Sequence, residues 1–340
     1  MVTIADVAKH AGVAPSTVSY VLTGKRPVSA ETCVRVRESI RSLGYRHAHA
    51  GTRAPAGSRT GVLALVLPLR EGVRLPVLMR FVTAVVSAAR QQGMNVLLVT
   101  ADQGAAGLRR VADGAVADGF LMMGVDLDDE RVAVVRELGC PAVLIGHATA
   151  GGLTCVDLDF EAAGARCVEH LVGLGHRGIG FLGAPSAAYA RNTGFAQRAL
   201  AGFSAAAMRR GVVSAALPAE HRYDSVRAVV RTLLHEVPRM SALVVHNEAA
   251  VGWVVGCLRA AGRRVPDDMA LVAICQDELA ERMRLTCVQV PVEVLGRRAV
   301  GLLMAELNGR KPPPLTLLPP ELSSRTGAVV SPGVPGRFVE

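Results

Sequence analysis

A short segment near the amino terminus carries four hydroxyl groups beside an apolar helical stripe. The segment reads VAPSTVSYVLTGKRPVS over positions 13–29. Its apolar residues recur with helical spacing, and they are Val18, Val21 and Leu22. Its other face carries the hydroxyl-bearing residues Ser16, Thr17, Ser19 and Tyr20. Hydroxyl groups donate and accept hydrogen bonds, so this face suits contact with base edges and phosphates, whereas an ordinary solvent-facing amphipathic helix is the alternative interpretation.

The residues around this segment predict a three-helix unit. In TIADVAKHAGV the apolar residues fall at i, i+3, i+4 and i+7, which predicts a first helix that Thr3 caps and Gly12 ends. Pro15 suits the first position of the second helix, which ends at Gly24, and SAETCVRVRESIRSLGY predicts a third. Two short helices joined by about four residues, with a third to complete the core, predict a helix-turn-helix. The second helix of such a unit lies in the major groove.

Positive charge is concentrated in the first 59 residues. They hold nine Lys and Arg against three Asp and Glu, a net +6, whereas the whole chain of 340 residues carries +9. Lys25 and Arg26 follow the second helix directly, where a duplex backbone would run. A compact basic head on a near-neutral body predicts double-stranded DNA as the partner of the head. A merely solvated basic surface is the alternative that charge alone leaves open.

The sequence offers no motif of an enzyme or a metal site. Seven cysteines are scattered without a C-x-x-C pair or a His/Cys cluster, so we expect reduced core cysteines and no bound metal. GIGFLG at 178–183 matches G-x-G-x-x-G, but its glycines lie within a predicted strand. No Asp or Glu occurs between Glu169 and Glu220 to bind a ribose. We therefore expect no enzymatic activity and no cofactor.

Targeting signals are also missing from the sequence. The start, MVTIADVAKH, lacks the basic region and apolar core of a secretory signal. No apolar run approaches the ~18 residues that a membrane span requires. We expect a cytoplasmic protein that associates with the nucleoid.

The rest of the chain alternates apolar strands with helical segments. GVLALVLPL is a predicted strand, PVLMRFVTAVVSAARQQG a helix and MNVLLVT a strand, and the alternation continues to MALVAICQ. This alternation predicts parallel sheets with helices on both faces. The predicted fold class is α/β, with an N-terminal all-α helix-turn-helix head and a body of two doubly wound parallel-sheet subdomains. The predicted boundaries are a head at 1–46, a hinge or linker at 47–60, a body at 61–330 and a tail at 331–340, with the body divided roughly into 61–152 plus 286–316 and 153–285 plus 317–330.

The stretch from Thr3 to Arg46 resembles, nearly position for position, the head of the lac-repressor (LacI-type) family of bacterial transcription regulators. The usual pattern there is T-I-x-D-V-A-x-x-A-G-V-S-x-x-T-V-S-R-V-L-N-G, ending in L-G-Y-x-P. The body resembles the family more loosely, in VEHLVGLGHRGIGFLG, GRRVPDDMALVAI and LLPPELSSRTG. Family bodies are similar to periplasmic sugar-binding proteins and hold an effector between two subdomains.

The resemblance implies a homodimeric regulator, most simply a repressor, that binds a pseudo-palindromic operator. A small-molecule effector in the cleft, a sugar or another metabolite, would modulate the affinity for DNA. Two alternatives remain open at this point. The chain could be a DNA-binding regulator that has lost its ligand, or a solute-binding module with a vestigial head.

The resemblance also implies which residues contact DNA. Pro15, Ser16 and Tyr20 would face bases, with Thr17 and Ser19 nearer to phosphates. The full predicted set is Thr3, Pro15, Ser16, Thr17, Ser19, Tyr20, Lys25, Arg26, Tyr45 and Arg53. The head departs from the family pattern at Ala14, Tyr20, Thr23 and His47. Because Tyr20 replaces an arginine, which suits guanine best, we expect an operator that differs from those of typical relatives.

The linker departs further from the family. Its minor-groove wedge, usually leucine, falls on Ala54, followed by Pro55 and preceded by Gly51. Alanine is a poor wedge, and glycine and proline weaken a helix. We therefore expect no kinking of DNA by the usual side chain. Arg53 reaching the minor groove and a plain flexible linker are both open.

By the same resemblance, the effector would be bound by cleft residues of the body. Arg191 has the family's spacing to Gly194 and Phe195, and Arg198 is one residue out of register with a second Gly-Phe pair. The predicted effector-binding residues are Arg191, Arg198, Asn247, Glu248, Gln276 and Asp277. Cys275 and Gln276 replace the usual pair of aspartates, and LPVL at 75–78 replaces N-P-F-F. A site with fewer acids and aromatics argues against a plain pyranose, in favour of another metabolite or no effector.

Overall fold

Three helices form the amino-terminal head of the computed structural model, which describes residues 2–23, 26–43, 45, 59–67, 75–100, 104–149 and 151–325. They are α1 (Ile4–Ala11), α2 (Pro15–Thr23) and α3 (Ala30–Leu43). At the start of α1, the Asp6 backbone N–H donates to Thr3 Oγ1 (3.3 Å) and the Thr3 backbone N–H donates to Asp6 Oδ2 (2.7 Å). Gly12 ends the helix with a left-handed φ of 65°. The buried head core is Val7, Ala8, Ala11, Val18 and Val36, which confirms the predicted all-α head.

The described part of the body alternates strands and helices. Its strands are, in chain order, β1 (Val62–Leu67), β2 (Asn95–Thr100), β3 (Gly119–Met123), β4 (Ala142–Ile145), β5 (Thr154–Leu158), β6 (Gly178–Gly183), β7 (Val213–Pro218), β8 (Ala242–Val245), β9 (Ala270–Cys275), β10 (Thr286–Gln289), β11 (Leu315–Leu318) and β12 (Leu322–Ser323). Its helices are α4 (Leu75–Gln91), α5 (Gly104–Asp113), α6 (Glu130–Leu138), α7 (Phe160–Gly173), α8 (Ser186–Ala190), α9 (Gly194–Arg209), α10 (Tyr223–Glu236), α11 (Val251–Ala260), α12 (Asp277–Met283) and α13 (Val292–Leu307). Among the described residues, none of the helices combines the length and apolarity of a bilayer span.

The strands form two sheets, ordered β11-β5-β4-β3-β1-β2 and β12-β10-β9-β8-β6-β7. Hydrogen-bonded neighbours are parallel except β10 and β12, which are antiparallel. Helices α4 and α13 pack on one face of the first sheet, and α5 and α6 on the other. Helices α7 and α9 cover one face of the second sheet, and α10 and α11 the other. Because both faces are covered, central strands such as β3 and β9 are unbroken apolar runs, and the predicted α/β fold class is confirmed.

The sheet order shifts the subdomain boundaries expected from the sequence. We expected β5 in the second subdomain, but it pairs with β4 and β11 of the first sheet. We expected β10 in the first, but it pairs with β9 of the second sheet. We also expected residues 317–318 in the second, but they complete β11, which pairs with β5. In each case the chain changes subdomain only after the strand has ended, so the strand stays with the sheet that satisfies its backbone hydrogen bonds.

The glycines of GIGFLG make room for close packing in β6. A Cβ on Gly178 would lie 2.4 Å from the Arg239 carbonyl oxygen, and a Cβ on Gly180 would lie 2.6 Å from Met240 Sδ. All six residues of the strand are buried. These glycines therefore serve the contact between β6 and its neighbours and do not form a phosphate-binding turn.

The entry to the body is fixed at two points. Arg59 Nη2 donates to the Leu307 carbonyl oxygen (2.5 Å) and to Asn308 Oδ1 (2.9 Å), at the carboxyl end of α13. Asp118 Oδ1 accepts hydrogen bonds from the Thr60 backbone N–H (2.7 Å) and hydroxyl (2.9 Å). A cation at a helix carboxyl terminus also interacts favourably with the helix dipole. The chain that leads from the head is thus attached to α13 where it enters the first sheet.

Candidate nucleic-acid interface and ligand cleft

Helix α2 presents a polar surface on the outside of the head. Val18 is fully buried, whereas Pro15 and Ser16 are exposed and Thr17 is half-buried. Ser19 and Tyr20 are also half-buried, one turn beyond Ser16. The inward apolar face and outward hydroxyl face therefore occur on α2 as the spacing predicted. This arrangement leaves short donors and acceptors accessible to a groove.

The aromatic ring of Tyr20 brings a positive charge to this surface. The Arg26 guanidinium carbon lies 5.5 Å from the centre of the Tyr20 ring, within the range of a cation–π contact. Arg26 itself is exposed. We name Ser16, Ser19, Tyr20 and Arg26 the recognition face. It combines hydrogen-bonding groups with one charge beside them.

The remaining predicted DNA-contacting residues are placed differently. Thr3 is exposed at the cap of α1. Tyr45 packs against the head core, and burial raises the pKa of its phenol. Lys25 and Arg53 lie outside the described residues, as does the wedge position Ala54.

The cleft of the body is closed on one side by the loop after β3. The Leu127 backbone N–H donates to the Asn192 carbonyl oxygen (2.8 Å), so the first subdomain binds the α8–α9 loop of the second. Thr193 Oγ1 donates to Asp126 Oδ1 (2.7 Å), and Asn192 Nδ2 donates to Asp128 Oδ2 (3.1 Å). Asn192 adopts a left-handed φ of 60°, which asparagine tolerates better than most residues. This contact joins the subdomains through backbone and side chains together.

The two predicted arginines of this region have different surroundings. Arg191 caps the carboxyl end of α8 with its backbone N–H and is exposed, and its side chain has no hydrogen bond or ion pair with the described residues. Arg198 instead forms a largely buried ion pair with Asp157 at the end of β5, and its Nη1 lies 3.3 Å from His147 Nδ1. Burial raises the pKa of Asp157 to about 6, and the Arg198 charge opposes that rise. Arg198 thus connects the second subdomain to the first sheet.

An aromatic cluster lies where the ends of two strands meet the start of α9. Phe160 follows β5, Phe195 begins α9, and His246 follows β8. The ring centres of Phe160 and Phe195 are 5.9 Å apart, and His246 is 5.7 Å from each. Phe195 remains 37% exposed. The cluster supplies aromatic surface that the sequence did not lead us to expect, because LPVL lacks it.

Three buried polar atoms near this cluster have no hydrogen-bond partner among the described residues. They are His246 Nδ1, Asn247 Oδ1 and Gln276 Nε2. Asn247 Nδ2 donates to the Ala219 carbonyl oxygen (2.7 Å), which leaves its Oδ1 as an acceptor. His246 and Asn247 follow β8, and Gln276 follows the adjacent parallel strand β9, so all three lie at the same edge of the second sheet. An unsatisfied buried polar atom costs roughly 1–3 kcal/mol, so this edge favours a hydrogen-bonding ligand.

The other acidic positions of the predicted effector site have protein partners. Asp277 Oδ1 accepts hydrogen bonds from Arg325 Nη2 (2.6 Å) and Gln289 Nε2 (2.9 Å). Glu248 is half-buried after Asn247. The structure therefore brings Asn247 and Gln276 together with the aromatic cluster, and it engages Asp277 and Arg198 in ion pairs.

Arg80 is a cleft residue that sequence reasoning missed. It lies on α4, and its guanidinium donates to Gln276 Oε1 (2.8 Å), Glu278 Oε1 (2.6 Å) and Glu293 Oε1 (2.6 Å). We name these four residues the Arg80 cluster. The sequence did contain a signal, because Arg80 is the sole charged residue in the first two turns of an otherwise apolar helix that follows a central strand. Its partners, nearly 200 residues away, were not detectable.

The buried imidazole predicts a pH dependence of stability. Burial lowers the pKa of His246 to about 4, from 6.5, so the folded protein keeps this ring neutral while the unfolded chain protonates it. Stability from this group is therefore present above pH 6.5 and is lost as the pH falls. Between pH 7.5 and 5 we expect the variant His246→Phe to lose about 2 kcal/mol less unfolding free energy than the wild type, as measured by urea denaturation. Parallel curves for the two proteins would contradict this prediction.

Comparisons with known proteins agree on both parts of the chain. Residues 3–47 match the family profile described as bacterial regulatory proteins, lacI family, and residues 168–326 match the periplasmic binding protein-like domain. The HTH-type transcriptional regulator CelR of Thermobifida fusca is 29% identical over 328 residues, covering 93% of this chain and 95% of that protein. Catabolite control protein A of Priestia megaterium is 27% identical over 317 residues, covering 90% of this chain and 93% of that protein.

Solved structures show the same likeness. The CelR–cellobiose complex superposes with a TM-score of 0.68 at 27% identity, covering 96% of this chain and all of that one. The lac repressor dimer bound to operator and the anti-inducer ONPF superposes with a TM-score of 0.70 at 23% identity, covering 96% of this chain and 99% of that one. At that identity the second likeness concerns the fold alone.

Proposed function

The chain belongs to the lacI family of bacterial regulatory proteins, and on that premise we propose that it is a sequence-specific transcriptional repressor. It binds a pseudo-palindromic operator on the nucleoid as a homodimer, and a small molecule in the cleft modulates its affinity. The observation that carries this proposal is the recognition face, since α2 keeps a partly exposed hydroxyl surface beside Arg26 while Val18 is buried in the head core.

Two heads on one dimer would read two half-sites, and the body sets their spacing. Apolar side chains that are unusually exposed support a second copy of this chain as the body's partner. On α4 these are Leu75 (57% exposed), Met79 (50%) and Val86 (42%), and Leu98 (48%) lies on the neighbouring edge strand β2. A row of this kind on a helix beside a sheet edge suits an isologous contact.

The groups that line the cleft favour a neutral effector. The unpartnered atoms belong to two amides and one imidazole that burial keeps uncharged at neutral pH. The nearby acids Asp157, Asp277 and Glu278 are each paired with an arginine, and the Arg80 cluster carries two carboxylates against one guanidinium, a formal charge of −1. Amide hydrogen bonds and the aromatic cluster together suit a sugar, whose hydroxyls and C–H faces need both. CelR, in its solved complex, binds cellobiose.

A ligand-independent regulator is the second candidate function. It is favoured by one observation, that the protein's own side chains already join the subdomains on both sides of the cleft. The effector experiment below separates the two candidates.

The recognition face predicts separable effects of Tyr20 and Arg26. After selection of bound sequences from random duplexes, Tyr20→Ala should reduce the preference for the selected operator over random DNA by at least tenfold while random-DNA affinity stays nearly constant, because the lost contact reads bases. Arg26→Ala should weaken binding to both DNAs alike and reduce the salt slope by about 1, because the lost contact neutralises a phosphate. Fluorescence anisotropy titrations at several salt concentrations measure both.

Equal losses of the two affinities in Tyr20→Ala would contradict a base-reading role for that residue. A wild-type protein with no preference among duplexes would contradict the proposed function itself.

The exposed apolar row predicts a dimer that one charge disrupts. Val86→Glu should shift the protein from dimer to monomer in analytical ultracentrifugation and weaken operator binding more than tenfold, because a buried unpaired charge opposes association. The matched control is Met208→Glu, which places the same charge at a side chain that is 79% exposed on α9. Dissociation of the control to the same degree, or a Val86→Glu protein that stays dimeric, would exclude this surface as the interface.

The cleft predicts stabilisation by a neutral ligand. Thermal-shift screening should start with cellobiose and other neutral mono- and disaccharides, where a ligand at 100-fold its Kd adds about 2.7 kcal/mol to stability. Asn247→Ala and Arg191→Ala should each lose at least tenfold in ligand affinity while operator binding without ligand is retained. The matched control is Gln92→Ala, an exposed amide at the end of α4. If no neutral or charged ligand shifts a protein that binds its operator, the ligand-independent candidate is favoured.

A further inference from the structure

The guanidinium of Arg80 contacts both subdomains. Its Nη1 and Nη2 form a two-pronged contact with the Glu278 carboxylate, and Nη1 also donates to Gln276 Oε1 (2.8 Å). Nη2 and Nε donate to Glu293 Oε1 (2.6 and 3.2 Å). One side chain thus contacts three acceptor residues, two at the start of α12 and one on α13.

Those acceptors divide by subdomain. Arg80 belongs to α4 and Glu293 to α13, two helices that pack together on the first sheet. Both remaining acceptors follow β9 of the second sheet: Gln276 directly precedes α12, and Glu278 lies in its first turn. The Glu293 contact therefore orients the guanidinium from its own subdomain, whereas the Gln276 and Glu278 contacts cross the cleft.

The ion pair between Arg80 and Glu278, which crosses the cleft, has the geometry that contributes most to stability among solvent-accessible ion pairs. Isolated exposed ion pairs are weak, but a bidentate arginine–carboxylate pair within a network of several acceptors is stronger. The hydrogen bond from Arg80 lowers the pKa of Glu278, so its carboxylate stays charged at neutral pH. The side chains of Arg80 and Glu278 are 31% and 62% exposed, so the contact remains open to salt.

A second contact between the subdomains lies on the other side of the cleft. The Leu127 backbone N–H donates to Asn192 (2.8 Å), and the Gly194 backbone N–H donates to Val125 (3.3 Å). This loop precedes α6, which covers the face of the first sheet opposite α4 and α13. Exchange of the Leu127 and Gly194 backbone amides therefore measures closure of the cleft at a site away from Arg80.

We propose that Arg80 is a built-in closing residue, which holds the two subdomains together across the cleft through Glu278 when no ligand is bound. The tie sets the balance between closed and open forms, so that an effector acts on a closure that the protein's own charges already favour. Closure itself does not require the proposed regulatory function, and only its effect on operator binding rests on that function. A tenfold change in the closed-to-open ratio corresponds to about 1.4 kcal/mol, which is within the reach of one such contact.

Hydrogen exchange in the full-length, ligand-free protein tests this tie. Arg80→Met and Glu278→Gln should each raise the exchange rates of the Leu127 and Gly194 amides fivefold to tenfold, measured by mass spectrometry on peptides that contain them. The double variant should exchange no faster than Arg80→Met alone, because that variant already removes the contact with Glu278. In the wild type, about 1 M salt should accelerate the same amides, and in Arg80→Met it should add little.

The matched control is Arg210→Met. Arg210 also forms a bidentate ion pair, donating to Glu169 Oε1 (3.0 Å) and Oε2 (2.5 Å). Both of these residues belong to the second subdomain, so this pair does not cross the cleft. Unchanged exchange at Leu127 and Gly194 in both Arg80→Met and Glu278→Gln, or equal acceleration in the control, would overturn the proposal. If Arg80→Met does not fold, exchange in Glu278→Gln and the salt dependence of the wild type test the proposal in its place.

Operator affinity, measured on the same variants, separates this inference from the proposed function. Faster exchange with altered operator affinity supports both. Faster exchange with unchanged operator affinity supports the tie and contradicts regulation through closure.

Discussion

Three crossings of the chain between the two sheets constrain the whole body, within the continuous range of residues 151–325. They follow β5, β10 and β11, and all lie along one edge of each sheet. Each sheet keeps its own buried core, so the subdomains can move about these crossings without loss of core packing. The hydrogen bonds and ion pairs that also join the subdomains form and break at modest cost. Closure of the cleft is therefore the motion that this architecture permits most easily. The few residues that span the cleft then decide how far it closes.

The polar residues of the cleft are arranged so that charge is cancelled within the protein. Asp157 pairs with Arg198, Asp277 with Arg325, and Glu278 with Arg80. The buried polar atoms of the cleft that remain without a protein partner are neutral, namely two amide atoms and a histidine that burial keeps unprotonated. Loss of the family's aspartate pair thus does not leave an empty site. It changes the chemistry of the site from charged acceptors to amide groups, with aromatic rings beside them.

The sequence predicted local features well and distant pairings poorly, for a physical reason. Helix α2 and its polar face follow from apolar spacing, and the end of α1 follows from Gly12, because both depend on residues within one or two turns. The subdomain membership of β5 and β10 depends on which sheet each strand joins, and their apolar composition suits either sheet. The cleft itself combines Arg80 with Gln276, which are 196 residues apart. Single residues of that site were recognisable as chemical types, but their meeting was not.

Helix α13 connects the cleft to the segment that enters the body from the head. Its first turn carries Glu293, which holds Arg80 at the cleft, and its far end receives Arg59 from the chain that leads to the head. Sixteen helical residues span roughly 24 Å, and a helix of this length transmits displacement with little bending. A tilt of this rod by a few degrees would shift its far end by an ångström or more. In the proposed dimer, such a tilt would change the distance between the two heads as the cleft opens or closes.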